Sequence, residues 1–421
     1  MLLLLTALAS ASDAPVPLPG LDLATSDAAL EPLTAIVGDA PLVGLGESKH
    51  CAGGYLEAKA RVVRWLVEQE GFRIVALETP WVHARAAQRY VALGDGTSED
   101  AMASVFGAFH DSSTARMFEW LRAWNEAHPE DPVHFVGFDV QDRIAELEAV
   151  AASDEPAWSA LAEETLVVRR ALEDLRGDEL SVARDEGMTD TLLALREILA
   201  PGARTVVMAH NAHLMRRGSE THFRNLGEHL SERLGDDYVA IGLVGQRVDS
   251  LCHAWALHDG RHELERELAE RLDTPAGLLE LSDPRWHEQR FDLGGWSSIL
   301  VGEQYDALLY LDHVRASDVG DEDRPWSDAN GFGAGGGRIL VLHRTAHSPE
   351  ELDRLWTRYA GWMETLAYAP SSRARTQGAV RGRSQRFADD AGDGRLRVTW
   401  SVEDDAWKVQ LDVDPEWFRR L

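Results

Sequence analysis

A mainly parallel α/β sheet flanked by helices is the fold class this sequence predicts, and three observations predict it. Six short apolar runs, at residues 42–45, 73–77, 133–139, 205–209, 238–245 and 305–311, read as buried strands. Stretches of helical periodicity separate them, the pattern of a parallel sheet with crossovers. Several runs end in acids or histidines, and open α/β sheets keep their sites at the carboxyl ends of strands.

Composition bounds what such a chain can do. With 421 residues, 44% hydrophobic and 27% charged, it can bury a large core, whether as two or three domains or as one large domain with an appendage. The net charge of −29 argues against nucleic-acid or anionic-membrane partners and favours a soluble protein with neutral or cationic ligands. Met1 to Ser12 places an apolar run before Ala9-Ser10-Ala11, which fits a secretory signal without its basic start. Export to the periplasm or the medium is therefore expected, or a cytoplasmic location if the signal does not work. Nothing later is apolar for the roughly 18 residues of a membrane span. Two cysteines, Cys51 and Cys252, supply neither a disulfide framework nor a cysteine-rich zinc site. Exported, they would pair with each other. Cys51 as a nucleophile is disfavoured, because its neighbour His50 points elsewhere.

Taken in order, the first run ends in Gly46-Glu47-Ser48-Lys49-His50, an acid and a histidine three residues apart. Alone, the stretch fits a capped βα turn equally well. Leu56 to Glu68 follows with helical spacing, carrying Glu57, Lys59, Arg61 and Arg64 on its other faces and ending at Gly71. The second strand ends in Glu78. Helices are expected at 82–93, at 98–109 behind a Thr97-x-x-Asp100 cap, and at 114–125. The third strand ends in Asp139. Residues 141–199 form an acidic helical excursion broken at Gly177 and Gly187. The fourth strand ends in His210-Asn211-Ala212-His213, the fifth leads to Gln246 and the sixth to Asp312 and His313. Gly331 to Gly337 lacks the context of a phosphate loop and reads as a linker. A helix at 348–366, a loop at 370–394 and a β-hairpin pairing 396–400 with 407–411 close the chain. The expected domains are thus a signal at 1–12, a catalytic domain at 13–345 and a C-terminal helix and hairpin appendage at 346–421.

The motifs GLGESKH (44–50), GFRIVALETPW (71–81), GFDVQ (137–141), RDEGM (184–188) and AHNAHL (209–214), with Tyr238 to Gln246 and Tyr305 to Asp312, resemble in order and spacing those of the erythromycin esterase family. The resemblance runs from about residue 40 to residue 318. It implies a hydrolase in which His50 is general base on a water that attacks a lactone ester, with macrolide inactivation as one outcome. Glu47 and Glu78 match the family's acidic residues and His210 its second histidine. Two departures stand out: Gly54 occupies the family's usual glutamate position, and Lys59 an expected arginine.

Hydrolysis by activated water needs a base, an orienting partner and an oxyanion donor. His50 with Glu47 or Glu78 supplies the first two, and His210, Asn211 or Lys59 the third. Asp139, Arg184, His213 and Gln246 complete the rim as supporting or substrate-binding residues. No Gly-x-Ser-x-Gly elbow is present, so a serine nucleophile is not implied. No cofactor is expected. The rival from the same rim is a hydrolase holding Zn²⁺ or Mn²⁺ on three of Glu47, His50, Glu78, His210 and His213. A rival from another class is a secreted ligand-binding homologue without turnover. The natural ester and the oligomeric state are not readable from the residues.

Overall fold

All six apolar runs are strands, since apolar side chains on both faces suit a sheet covered by helices on both sides. The computed structural model describes residues 14–250, 262–293 and 296–318, and five strands between residues 339 and 413. In chain order the first ten strands are Val16–Leu18 (β1), Leu42–Leu45 (β2), Phe72–Pro80 (β3), His134–Asp139 (β4), Arg204–Met208 (β5), Tyr238–Val248 (β6), Ala276–Glu280 (β7), Arg290–Leu293 (β8), Trp296–Leu300 (β9) and Ala307–Val314 (β10). Eight form one sheet in the order β1-β7-β10-β6-β2-β5-β3-β4, while β8 and β9 form a separate antiparallel hairpin. The pairs from β10 through β6, β2, β5 and β3 to β4 are all parallel. Only β7 runs against the others, antiparallel to β10 on one side and to the edge strand β1 on the other. Neither β1, β7 nor the hairpin was expected, because runs of three to five residues carry too little periodicity.

The order of the strands decides where a site can form. The chain leaves β2, builds β3 and β4 outward, returns to insert β5 beside β2, and then crosses to β6 on β2's other flank. Such a reversal, here at the carboxyl end of β2 between the ends of β5 and β6, is where open α/β sheets keep their sites. All four residues of β2 are buried. Its Leu42 joins a core with Ile74, Phe138, Leu192, Val207 and Tyr238, all fully buried.

The helices follow their local signals, with three corrections. Gly53–Glu70 ends at Gly71, which takes the left-handed conformation at φ 72°. Its Lys59 and Arg61, expected away from the apolar side, are buried because the helix is covered on most of its faces. Thr97 and Asp100 form the capping box of Ser98–Ala103. That helix stops short of the expected 109, and Gly107–Phe109 is a separate 3-10 turn. The excursion is three helices, Ile144–Ala151, Pro156–Ala171 and Gly177–Leu199. Gly177 opens the last one, whereas Gly187 lies inside it. A Cβ at 187 would stand 2.8 Å from Cγ1 of Val168, so this glycine serves helix packing and breaks nothing.

The chain divides into two compact units, Met1–Asp249 with His258–Asp318, and Ser250–Leu257 with Val319–Leu421. The second holds an antiparallel sheet of Ile339–Ala346 (β11), Pro370–Ser371 (β12), Gly382–Asp389 (β13), Gly392–Ser401 (β14) and Ala406–Val413 (β15), ordered β11-β15-β14-β13-β12. The expected hairpin is β14 with β15, and Trp400 lies opposite Trp407. Residues 370–394, expected to be a loop, contribute β12, β13 and the start of β14, because a backbone ladder forms without an apolar side-chain pattern. The expected boundary at 345 falls within β11, which pairs with β15. The signal at 1–12, the linker at 331–337, the helix at 348–366 and Cys252 lie outside the described residues. Among those residues no helix is long and apolar enough to cross a membrane.

Candidate active site

β2 delivers the first group. Its chain leaves the sheet at Gly46, where a Cβ would fall 1.8 Å from Oδ1 of Asn211, so only glycine lets the two segments meet. Glu47 then turns inward, buried to 1%, and its carboxylate is shared. Oε1 lies 2.7 Å from Nδ1 of His50, and Oε2 accepts from Nζ of Lys59 at 2.8 Å. Lys59 also donates to the carbonyl of Ala209 at 3.1 Å, the residue before His210. Burial pulls the Lys59 ammonium below its ordinary value, and Glu47 opposes that pull. The His50 side chain is 35% exposed, while Glu47 and Lys59 are closed off behind it. This arrangement presents an imidazole whose orientation is held from inside the protein.

β3, β4 and the excursion build the second group. Arg184, on helix Gly177–Leu199, donates from Nε and Nη2 to the two oxygens of Asp139 at 3.2 and 2.7 Å, and from Nη2 to Oε1 of Glu78 at 3.0 Å. His213 bridges Asp185, 2.8 Å from Nδ1, and Oε1 of Glu78, 3.2 Å from Nε2. Burial would lower this imidazole, but Asp185 and Glu78 outweigh it and raise it to about 10, so it is an imidazolium. Its Nε2–H is therefore spent on Glu78, and the 3.3 Å approach of Arg184 Nη1 to Nε2 joins two donors rather than forming a hydrogen bond. Burial would likewise raise the Glu78 carboxyl, yet His213 and Arg184 hold it well below its usual range.

His210 sits between the groups, its ring 4.9 Å from that of His50. Nδ1 accepts from the backbone N–H of Ala212 at 3.1 Å, so Nε2 carries the proton and donates to the carbonyl of Ser48 at 3.2 Å. Burial and the nearby His50 keep it well below the ordinary imidazole value, hence neutral. Both nitrogens are occupied by backbone, and the expected role of oxyanion donor is not open to it in this state. Nor is it open to Asn211, whose amide donates to the carbonyl of Leu243 at 2.9 Å and accepts from its N–H at 3.3 Å, pinning the segment after β5 to β6. Lys59 is sealed from solvent. Gln246, at the end of β6, has a buried Oε1 without a partner, and no hydrogen bond joins it to the cluster.

Three contributors carry no local signal of their part in the site. Asp185, the partner of His213, stood in the RDEGM motif beside Arg184, but nothing local shows that its acid faces inward. Phe109 stands edge-on to His50 at 5.6 Å. A clasp also lies beside the loop after His50. Arg315 forks onto Asp111 at 2.8 and 2.9 Å, and Cys51 donates to Ala108 and accepts from Ser317 through its backbone. A Cβ on Gly53 would lie 2.2 Å from Nη1 of Arg315, and one on Gly54 3.0 Å from the Arg315 backbone nitrogen. Gly54, which stands at the expected glutamate position, and its neighbour Gly53 leave the space this clasp fills. Cys51 is disulfide-bonded.

Among the described residues no trio of His, Cys, Asp or Glu is placed to share a metal ion. Two cavities, of about 240 and 390 Å³, lie elsewhere, beside Val168 and Gly187 and beside Asp27 and Trp65. The acids and histidines lie instead on the partly open rim.

A parallel α/β sheet thus carries a carboxylate-held histidine at the carboxyl end of its central strand, where proteins of this class keep their sites. The erythromycin esterase model matches residues 67–157 and 151–314, more than half of the chain, and this protein belongs to that family. It is 26% identical over 110 residues to an erythromycin esterase type II of Escherichia coli, covering 26% of each chain. It is 28% identical over 101 residues to the putative hydrolase YbfO of Bacillus subtilis strain 168, covering 24% of this chain and 22% of that one. The matched stretches thus span about a quarter of these curated relatives. Similar folds include a Bacillus cereus protein (TM-score 0.62, 19% identity, 73% of this chain and 96% of that one) and a succinoglycan biosynthesis protein (0.60, 17%, 72% and 95%). A mutant of the erythromycin esterase EreC in its open conformation follows at TM-score 0.52 and 17% identity, over 73% of this chain and 99% of that one.

Proposed function

We propose that this protein hydrolyses a carboxylic ester or macrolactone with His50 as general base. The observation that carries the reading is the buried Lys59–Glu47–His50 relay, which fixes Nδ1 of the one solvent-reaching imidazole in it. His50 takes a proton from water, the hydroxide attacks the ester carbonyl, and the proton then passes to the leaving alkoxide, giving an acid and an alcohol. Four carboxylates, those of Glu47, Glu78, Asp139 and Asp185, face three cations, Lys59, Arg184 and His213, so the imidazolium formed on His50 completes the charge balance. Arg184 offers the oxyanion donor: its Nη1 has no acceptor among the described residues once Nε2–H of His213 is given to Glu78. Glu78 and His210 then act as positioning residues.

The test is a panel of macrolides, simple lactones and aliphatic esters, assayed by acid release with wild type, His50→Ala and Arg184→Gln. Turnover by wild type that His50→Ala loses supports the reading. Turnover that survives in His50→Ala overturns the base assignment, and ligand binding without turnover in wild type overturns the enzyme.

A further inference from the structure

A ladder of rings leads away from the polar cluster. Phe223 meets the imidazolium of His213 edge-on, with centroids 6.4 Å apart. His222 lies 4.2 Å from Phe223, and Trp296, at the start of β9, lies 4.4 Å from His222. The ladder is built rather than loose: Nε2 of His222 is 3.2 Å from the carbonyl of Ala212, and Nδ1 is 2.6 Å from Oγ1 of Thr221. All three rings are nevertheless part-exposed, in a domain that buries Trp65, Trp286 and Phe118 completely. The indole Nε1 of Trp296 is buried and has no acceptor among the described residues. A sheltered donor without a partner is uncommon in a resting protein and is satisfied when a ligand supplies the oxygen.

Resting on the hydrolase reading above, we propose that Phe223, His222 and Trp296 form a subsite for the apolar, ring-bearing half of the ester, with Trp296 Nε1 donating to an oxygen on that ring. Inclined to one another by 67° and 36°, such rings give an angled aromatic wall with one polar handle, in keeping with the make-up of a small-molecule site. The subsite adjoins the group that holds Glu78 and Arg184, so a substrate seated on it would reach the proposed oxyanion donor.

The experiment compares kcat/KM for ring esters and for methyl acetate, with the ring on the acyl side in one series and on the alcohol side in the other. Wild type is expected to prefer ring esters in at least one series. Trp296→Leu and Phe223→Leu are expected to cut that preference by about tenfold or more, the scale on which a pocket contact discriminates. Trp296→Phe, which keeps a ring and loses the N–H, should cut it for oxygen-bearing rings only. A preference unchanged in both leucine variants, or absent from wild type, overturns the subsite. If wild type hydrolyses no ester the hydrolase reading fails by itself. The subsite is then judged by calorimetric binding of phenylacetate and cyclohexanol: weaker binding by the leucine variants supports it, and binding equal to wild type or absent overturns it.

Discussion

Lys59 shows how one side chain serves two demands. It neutralises Glu47, which the fold has buried, and the same carboxylate orients His50 through its other oxygen. Breaking a buried pair from one side strands a charge, so Lys59→Met is expected to cost about 3–5 kcal/mol in urea denaturation. Lys59→Arg keeps the charge but must place a larger fork in a sealed space, and should fall between the two. His50→Ala removes a partly exposed ring and should leave the unfolding midpoint near wild type while lowering kcat by about 10²–10⁴. A kcat change of less than tenfold would remove His50 from the mechanism.

At the scale of elements, the decisive contact is the meeting of three loops around Cys51. Asp111 is both the N-cap of helix Ser112–Ala127, accepting from the N–H of Ser113 at 2.9 Å, and the anchor of Arg315. Burial would raise its carboxyl, but Arg315 and the backbone donors hold it below the usual range. Asp111→Ala should therefore lose at least the cap's contribution of about 0.5–2 kcal/mol. Gly54→Glu restores the residue type of the family pattern but sets its Cβ 3.0 Å from Arg315 N and 3.2 Å from Val314 Cα. Backbone cannot yield as a side-chain tip does, and a loss of about 1–3 kcal/mol is expected on thermal denaturation. Gly54→Glu at wild-type stability would show that the clasp yields.

For the molecule as a whole, the cluster ties folding to pH. His213 is raised from 6.5 to about 10, so its stabilisation is complete below the free imidazole value and is lost as pH rises toward the folded one. Glu78 is depressed, so its contribution is present above the ordinary carboxyl value of 4.5 and is lost as pH falls below it. The urea midpoint of the full chain is accordingly expected to fall with alkalinity between 6.5 and about 10, and His213→Gln to flatten that slope. An equally steep slope in the variant would place the titration elsewhere.

The sequence by itself determined the parallel sheet and the rim of acids and histidines. Apolar runs between helical stretches have few other ways to bury themselves, and each polar residue follows its strand by covalent connection. Thus Glu47, His50, Glu78, Asp139, His210 and His213 were legible. Only the tertiary structure decided their partners. That His213 belongs to Asp185, Lys59 to Glu47 and Arg315 to Asp111 depends on strand order, helix rotation and loop closure, which join residues 12 to 204 positions apart. The same non-local choices spent His210 and Asn211 on backbone, where residue type alone had offered them to a substrate. A residue's chemistry is local, but whether it is available depends on its neighbours in space.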